Sequence, residues 1–322
     1  MKNIILLNPA LGSRNLGDSV IVNAIKSIFS SWNIPFLAEF STHRQWTTEE
    51  VKIAKGADYF IVGGSNLLTS SLFPLSHTQW KIGLKEFLLL RNKTILFGPG
   101  SQGDIPDLTR FTSYLYSLLM AKDSPQLVRD RVSKEWLLKT DREIVNSSCP
   151  SLFGIQEVKE NLKCIGNTTV VVALSGNIKN IEQDKIILNI ALSNYKKVKL
   201  FPQGVDEAKY TDETYFRELG LNYERLNASL EDFSRELQTG SHFFGNRLHG
   251  GIFAMQHGNP STIIDIDTRA RNLFIGTGYE VLERKNLVEG IKIDLSFRKP
   301  VLNQELINQN LERIYQVLTY SS

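Results

Sequence analysis

Ser241-His242-Phe243-Phe244-Gly245-Asn246-Arg247-Leu248-His249-Gly250-Gly251 carries a short apolar run into a glycine and then into residues of helical spacing. The run Ser241 to Phe244 reads as a strand. Leu248, Ile252 and Met255 then fall on one face of a helix that starts at Asn246 or Arg247. A strand whose consecutive residues are apolar is buried on both faces, as in a parallel sheet covered by helices.

Working outward, the same unit recurs. Apolar runs rich in β-branched residues stand at Ile4–Leu7, Tyr59–Val62, Thr94–Phe97, Leu127–Val128 and Ile144–Val145, and again at Val170–Leu174, Val198–Phe201 and Thr262–Ile266. Each is followed by turn residues and a segment of helical period; after the first run, Val20, Ile21, Ala24, Ile25, Ile28 and Phe29 mark one helix face. This alternation predicts an α/β fold. The stretch from Ser147 to about Asn167 is polar and rich in turn residues. It separates a first domain, 1–155, from a second, 165–300, and leaves 301–322 as a C-terminal helix with Leu306, Ile307, Leu311, Ile314, Tyr315 and Leu318 in phase. That helix either packs back on the first domain or faces solvent.

The length of 322 residues suits about two domains, and 42% apolar residues suffice for two cores. Net charge is +3 without a basic block, so nothing calls for nucleic acid. Cys149 and Cys164 lack CxxC spacing, which points to a reducing, cytoplasmic setting. Ile4–Leu7 is too short for a signal peptide's apolar core, and no run approaches a membrane span, so any membrane contact would be peripheral, at the inner face.

The strongest chemical signal lies in the opening stretch. Arg247 and His249 stand at the first turn of a helix, where backbone amides and the dipole favour an anion. Arginine offers a bidentate fork for phosphate or carboxylate, and histidine exchanges a proton near neutral pH. Gly250 and Gly251 would clear space for a ligand. Residues two apart on a helix splay, so convergence requires Arg247 to be still extended. A capping arginine and a hydrogen-bonded histidine remain the plainer reading.

Other motifs are weaker. Gly12-Ser13-Arg14-Asn15-Leu16-Gly17-Asp18-Ser19 resembles a phosphate loop but puts Asp18 where a lysine is needed, which excludes nucleotide hydrolysis. It leaves Asn15, Gly17 and Asp18 at a helix start, with Asp18 a ready cap. Gly98-Pro99-Gly100-Ser101-Gln102-Gly103 matches GxGxxG after a middle strand and reads as a tight loop rather than a dinucleotide site. Gly63-Gly64 ends a buried strand and permits close backbone approach. Arg129 and Arg131 flank Asp130 at another strand end, on one side if still extended, with Ser133 placed to cap the helix Lys134–Lys139. Asp265-Ile266-Asp267-Thr268-Arg269-Ala270-Arg271 ends a further strand in charges. His43, His77, His242 and His257 have no metal-like spacing, so no metal site is expected, and neither GxSxG nor HExxH occurs.

Taken in order, Asn15-Leu16-Gly17-Asp18-Ser19-Val20-Ile21, Phe60-Ile61-Val62-Gly63-Gly64, Val128-Arg129-Asp130 with Ser133, Cys149-Pro150-Ser151-Leu152-Phe153, Arg247-Leu248-His249-Gly250 with Pro260, and Asp267 with Arg269 resemble the polysaccharide pyruvyl transferase family, over roughly residues 4 to 275. One departure is Ser65, where a third glycine is common.

The resemblance implies two Rossmann-like domains facing across a cleft, GT-B-like, and transfer of an enolpyruvyl group from phosphoenolpyruvate to a sugar of a cell-surface or exopolysaccharide precursor, closing a pyruvate ketal. No cofactor is implied. Arg129 and Arg247 match donor-holding arginines and His249 the proton-transfer histidine; Leu248, Gly250 and Arg269 complete the donor side. Asn15, Gly17, Asp18, Gly63 and Gly64 form the expected acceptor side. The acceptor is a free, nucleotide-linked or lipid-linked saccharide. Two rivals stay open: a GT-B glycosyltransferase using a nucleotide sugar, against which the usual acidic pair is missing around Glu280, Glu283 and Glu289, and a non-catalytic sugar- or anion-binding protein.

Overall fold

The computed structural model describes residues 2–70, 72, 79–101, 108–220, 224–294 and 296–320. Gln102, Gly103 and His77, named above, lie outside them. The fold is mixed α/β with parallel sheets. Two compact units are present: the chain up to Ser13 with Ile21–Phe153 and the chain from Leu302, and Arg14–Val20 with Gly154–Val301.

In the first unit, β1 (Ile4–Asn8), β2 (Ala38–Ser41), β3 (Tyr59–Val62) and β4 (Thr94–Leu96) form a parallel sheet in the order β2-β1-β3-β4. Bridging of Phe97 to Leu127 continues it towards the parallel pair β5 (Gln126–Val128) and β6 (Ile144–Asn146). Its helices are α1 (Leu16–Ser31, from Ile21 on), α2 (Thr48–Ala54), α3 (Leu84–Leu90), α4 (Arg110–Leu119) and α5 (Arg131–Leu137). Phe60, Trp80, Leu96, Tyr116 and Trp136 are among the buried side chains of its core.

In the second unit the strands are β7 (Thr169–Ala173), β8 (Lys197–Leu200), β9 (Glu224–Arg225), β10 (His242–Gly245), β11 (Ser261–Asp265) and β12 (Leu282–Glu283). They run in the order β12-β11-β10-β7-β8-β9. Counted from β7 this is 3-2-1-4-5-6, the doubly wound Rossmann order, whose direction reverses between β7 and β10. Ligands of such sheets bind outside the carboxyl ends of the strands at that reversal. The helices are α6 (Ile181–Asn194), α7 (Asp206–Glu218), α8 (Leu230–Gln238), α9 (Leu248–Gln256) and α10 (Thr268–Phe274).

The last helix, α11 (Gln304–Thr319), belongs to the first unit. Arg313 donates to both oxygens of Glu143 at 2.6 Å, and Tyr315 packs its ring on Trp32. The nine apolar runs become strands. Sequence reading missed β2, β9 and β12, which lie at or close to sheet edges, carry Glu39, Glu224, Arg225 and Glu283, and so lack a continuous apolar run.

Candidate functional site

The reversal point of the second sheet is built by neighbouring backbones. Gly245 pairs with Ala173 so closely that a Cβ on it would lie 2.3 Å from the Ala173 carbonyl oxygen. Asn246 then ties the two loops beyond: its Oδ1 accepts from Ser175 N at 2.6 Å and its Nδ2 donates to Asp184 Oδ1 at 3.4 Å. Asp184 is fully buried, accepts from the Tyr215 hydroxyl and from Asn180 N, and has Arg284 beside it. Burial pushes its carboxyl above the usual range.

Arg247 stands immediately before α9 with φ −94° and ψ 96°, the extended backbone that convergence with His249 requires. Its guanidinium is not an open fork. Nη2 donates to both oxygens of Asp212, at 2.9 and 2.7 Å, and Nε to the Leu174 carbonyl at 3.3 Å. Asp212 is 1% exposed and also accepts from Gly176 N and Gly204 N. Burial pulls the Arg247 guanidinium below its ordinary value, Asp212 opposes this, and the nearby charge of Arg269 adds to the lowering. Asp212 escaped sequence reading, yet it left a signal: Asp212, Tyr215, Phe216 and Leu219 share the buried face of α7. A carboxylate in phase with an apolar stripe demands a buried partner.

His249 lies 9% exposed on the first turn of α9, near the helix amides and the positive end of the dipole. Arg269, on α10, is clamped by Asp267 Oδ1 and Oδ2 at 2.9 and 2.8 Å, and Asp267 caps that helix. Each guanidinium here therefore carries its own carboxylate.

The turn Asn15–Asp18, which the sequence assigns to the first domain, packs in the second unit. Leu16 N donates to Gln203 O at 3.0 Å, Val205 N to Arg14 O at 2.7 Å, and Gln203 Nε2 to Asn15 Oδ1 at 2.8 Å. Asn15 rather than Asp18 takes the capping position, accepting from Gly17 N at 3.2 Å. A Cβ at Gly17 would come within 3.0 Å of His249 Cβ, so this turn lies against the histidine. Gln203 Oε1, buried, has no hydrogen-bond partner among the described residues.

In the first unit, Arg129 follows β5 and is 3% exposed. Its Nη2 donates to Asn66 Oδ1 at 2.5 Å and to Ser101 O at 3.2 Å; its Nε meets Asp130 Oδ2 at 3.4 Å. The strand ends at Val128, so Arg131 does not share its side: it opens α5 and pairs with Glu135 at the surface. Asp130 caps α5 through Ser133 N, and the Ser133 hydroxyl instead accepts from Ser101 N.

The family model for polysaccharide pyruvyl transferase matches residues 15–268. The chain belongs to the polysaccharide pyruvyl transferase family. It is a transferase. No curated protein matches it. Among solved structures, an S. aureus MnaA–UDP co-structure is similar over 100% of this chain and 92% of that one, with a TM-score of 0.45 and 12% identity.

Two features of this pyruvyl transferase look different in three dimensions. Ser65 adopts φ +63°, the left-handed backbone a glycine takes freely, which is the physical sense of the glycine common at that place. Gly250 and Gly251 do not clear room for a ligand: added Cβ atoms would meet Gln203 Oε1 at 2.8 Å and Ile263 Cγ1 at 2.4 Å. They let α9 settle onto its own sheet. Gly64 does the same for α1, since a Cβ there would lie 2.4 Å from Ile21 Cγ2.

Proposed function

We propose that the enzyme moves the pyruvyl group of phosphoenolpyruvate onto two hydroxyls of a saccharide and closes a ketal. The observation that carries this reading is the meeting of an extended Arg247, a nearby Arg269 and His249 at the start of α9, on the sheet reversal where Rossmann folds bind their ligands. A phosphate and a carboxylate on one small molecule suit that set. Arg129 enters from the resemblance, as a second guanidinium on the donor, together with the GT-B-like arrangement that the resemblance implies.

His249, as imidazolium, protonates the methylene carbon, and the cationic carbon formed takes a sugar hydroxyl. Phosphate leaves and the second hydroxyl closes the ring. Of the two hydroxyl protons, one ends in the new methyl group by way of the imidazole and the other leaves with phosphate. The Asn15–Asp18 turn lies against His249, which favours it as the acceptor's place.

The test is phosphate release from phosphoenolpyruvate in the presence of free, nucleotide-linked and lipid-linked sugars. Release should require an acceptor; release with none of the three overturns the reading. His249→Ala should lower turnover by about 10²–10⁴-fold while donor affinity stays near wild type, as general acid loss does. Near-normal turnover in that variant removes the histidine from the mechanism.

A further inference from the structure

On the first unit, β3, β4 and β5 follow one another across the sheet, so right-handed crossovers set α3 and α4 side by side on one face. Asn92 N donates to Leu118 O at 2.8 Å and joins their carboxyl ends. Leu84, Leu88 and Arg91 fall at i, i+4 and i+7 along and just beyond α3, and the two leucines are 72% and 61% exposed. Phe111 and Tyr114 on α4 are 64% and 60% exposed.

Beside them is a cavity of about 740 Å³ whose lining includes Arg91, Arg110 and Lys122. None of these three cations has an ion pair or hydrogen bond among the described residues. The acid in that lining, Asp141, is paired with Arg142 at 2.6 Å. Each exposed apolar side chain alone would be ordinary. What needs explaining is four of them on adjacent helices, bordered by cations that no carboxylate among the described residues neutralises.

We propose that this face docks the protein on an anionic membrane surface. Leu84, Leu88, Phe111 and Tyr114 enter the interfacial layer, and Arg91, Arg110 and Lys122 meet lipid phosphates. A nucleic acid would use the cations and gain nothing from two leucines. A protein interior would use the leucines and leave the cations unpaired. A bilayer with anionic headgroups takes both. No helix among the described residues is long and apolar enough to cross a membrane, so the contact is peripheral. The proposal does not depend on pyruvyl transfer, and its test measures no turnover.

Co-sedimentation of the full chain with vesicles of phosphatidylcholine alone, and of an equal mixture with phosphatidylglycerol, reads it directly. Binding should require the anionic lipid and weaken at high salt. Paired Arg91→Glu and Arg110→Glu changes should lower it at least tenfold, at roughly fivefold per cation removed. Paired Leu88→Ser and Phe111→Ser changes should also release the protein, with thermal melts unchanged because these side chains are exposed. Absence of binding to the mixed vesicles overturns the proposal, as does binding that neither pair affects. A dimer in light scattering that Leu88→Ser with Phe111→Ser dissociates would overturn it too, by showing that a second copy covers the face.

Discussion

Arg129 follows β5 in the first unit and Arg247 follows β10 in the second, both at the carboxyl end of a buried parallel strand, and they are neutralised in opposite ways. Arg247 faces the two oxygens of Asp212 squarely, while Arg129 leans on neutral acceptors, Asn66 and Ser101, and touches Asp130 only at 3.4 Å. Asp130 is also committed to capping α5. The same local pattern thus yields one arginine locked on both oxygens of a buried carboxylate and another that combines a single, longer ion pair with neutral acceptors. An anion approaching Arg247 must compete with or add to a carboxylate already there.

Removing each carboxylate breaks this comparison most sharply. Asp212→Ala leaves a buried guanidinium without its counter-ion and two amides without an acceptor, and should cost about 3–5 kcal/mol of unfolding free energy. Asp130→Ala removes a helix cap and a long ion pair while Arg129 keeps its neutral acceptors, and should cost about 1–2 kcal/mol. Urea unfolding of the two variants measures both. Equal losses would show that the two arginines are held alike.

One strand end of the second unit carries a carboxyl shifted by burial. Asp265 ends β11, is 6% exposed, and leaves Oδ1 without a partner among the described residues while Oδ2 accepts from Arg271 Nε at 3.3 Å. Burial pushes its carboxyl up to about 6 from 3.8, Arg271 resists, and Asp267 and Glu283 add to the rise. The folded state therefore holds this proton more tightly than the unfolded chain. The resulting stability is present in full below the unfolded value and is lost as pH rises through about 6. At about 1.4 kcal/mol per unit the loss comes to about 3 kcal/mol. Asp265→Asn should be spared it, so the variant's stability relative to wild type should improve by that amount between about pH 4 and pH 7. A flat difference across that range in denaturant melts would remove Asp265 as the titrating group.

The legible parts of this molecule were those where one residue type has one use. Consecutive apolar residues in Ile4–Leu7 or Val170–Leu174 can only be buried strand, and they are. Helix geometry made an extended Arg247 the condition for its convergence with His249, and its backbone is extended. Caps were legible as a place but not as a residue, because Asn15 and Asp18, or Asp130 and Ser133, lie within three positions and all are residue types that cap helices. Glycines misled for a related reason: a missing side chain leaves the same sequence mark whether a ligand or Ile263 fills the space. Asp212 was hidden by distance along the chain, since the partner of Arg247 lies 35 residues before it.

Backbone strain divides the units as well, and supplies the smallest test. All four non-glycine residues in the left-handed region among the described residues, Asn33, Ser65, Asn92 and Ser148, belong to the first unit; in the second, every such residue is glycine. Ser148, at φ +70°, follows β6 and buries a hydroxyl that has no partner among the described residues. Its other bonds, from its amide to Asn146 Oδ1 and from the Ser147 hydroxyl to its carbonyl, use backbone atoms that any residue would keep. A left-handed L-residue costs about 1–2 kcal/mol, and the extra unfolded-state entropy of glycine returns about 0.5–1. Ser148→Gly should therefore raise unfolding free energy by about 0.5–1 kcal/mol. Gly154, at φ +77° with nothing within 4 Å of where a Cβ would stand, isolates the same backbone term in the second unit. There Gly154→Ser should lose about as much as Ser148→Gly gains, and melts that show the two substitutions moving in the same direction would mean that something other than φ decides the stability of these turns.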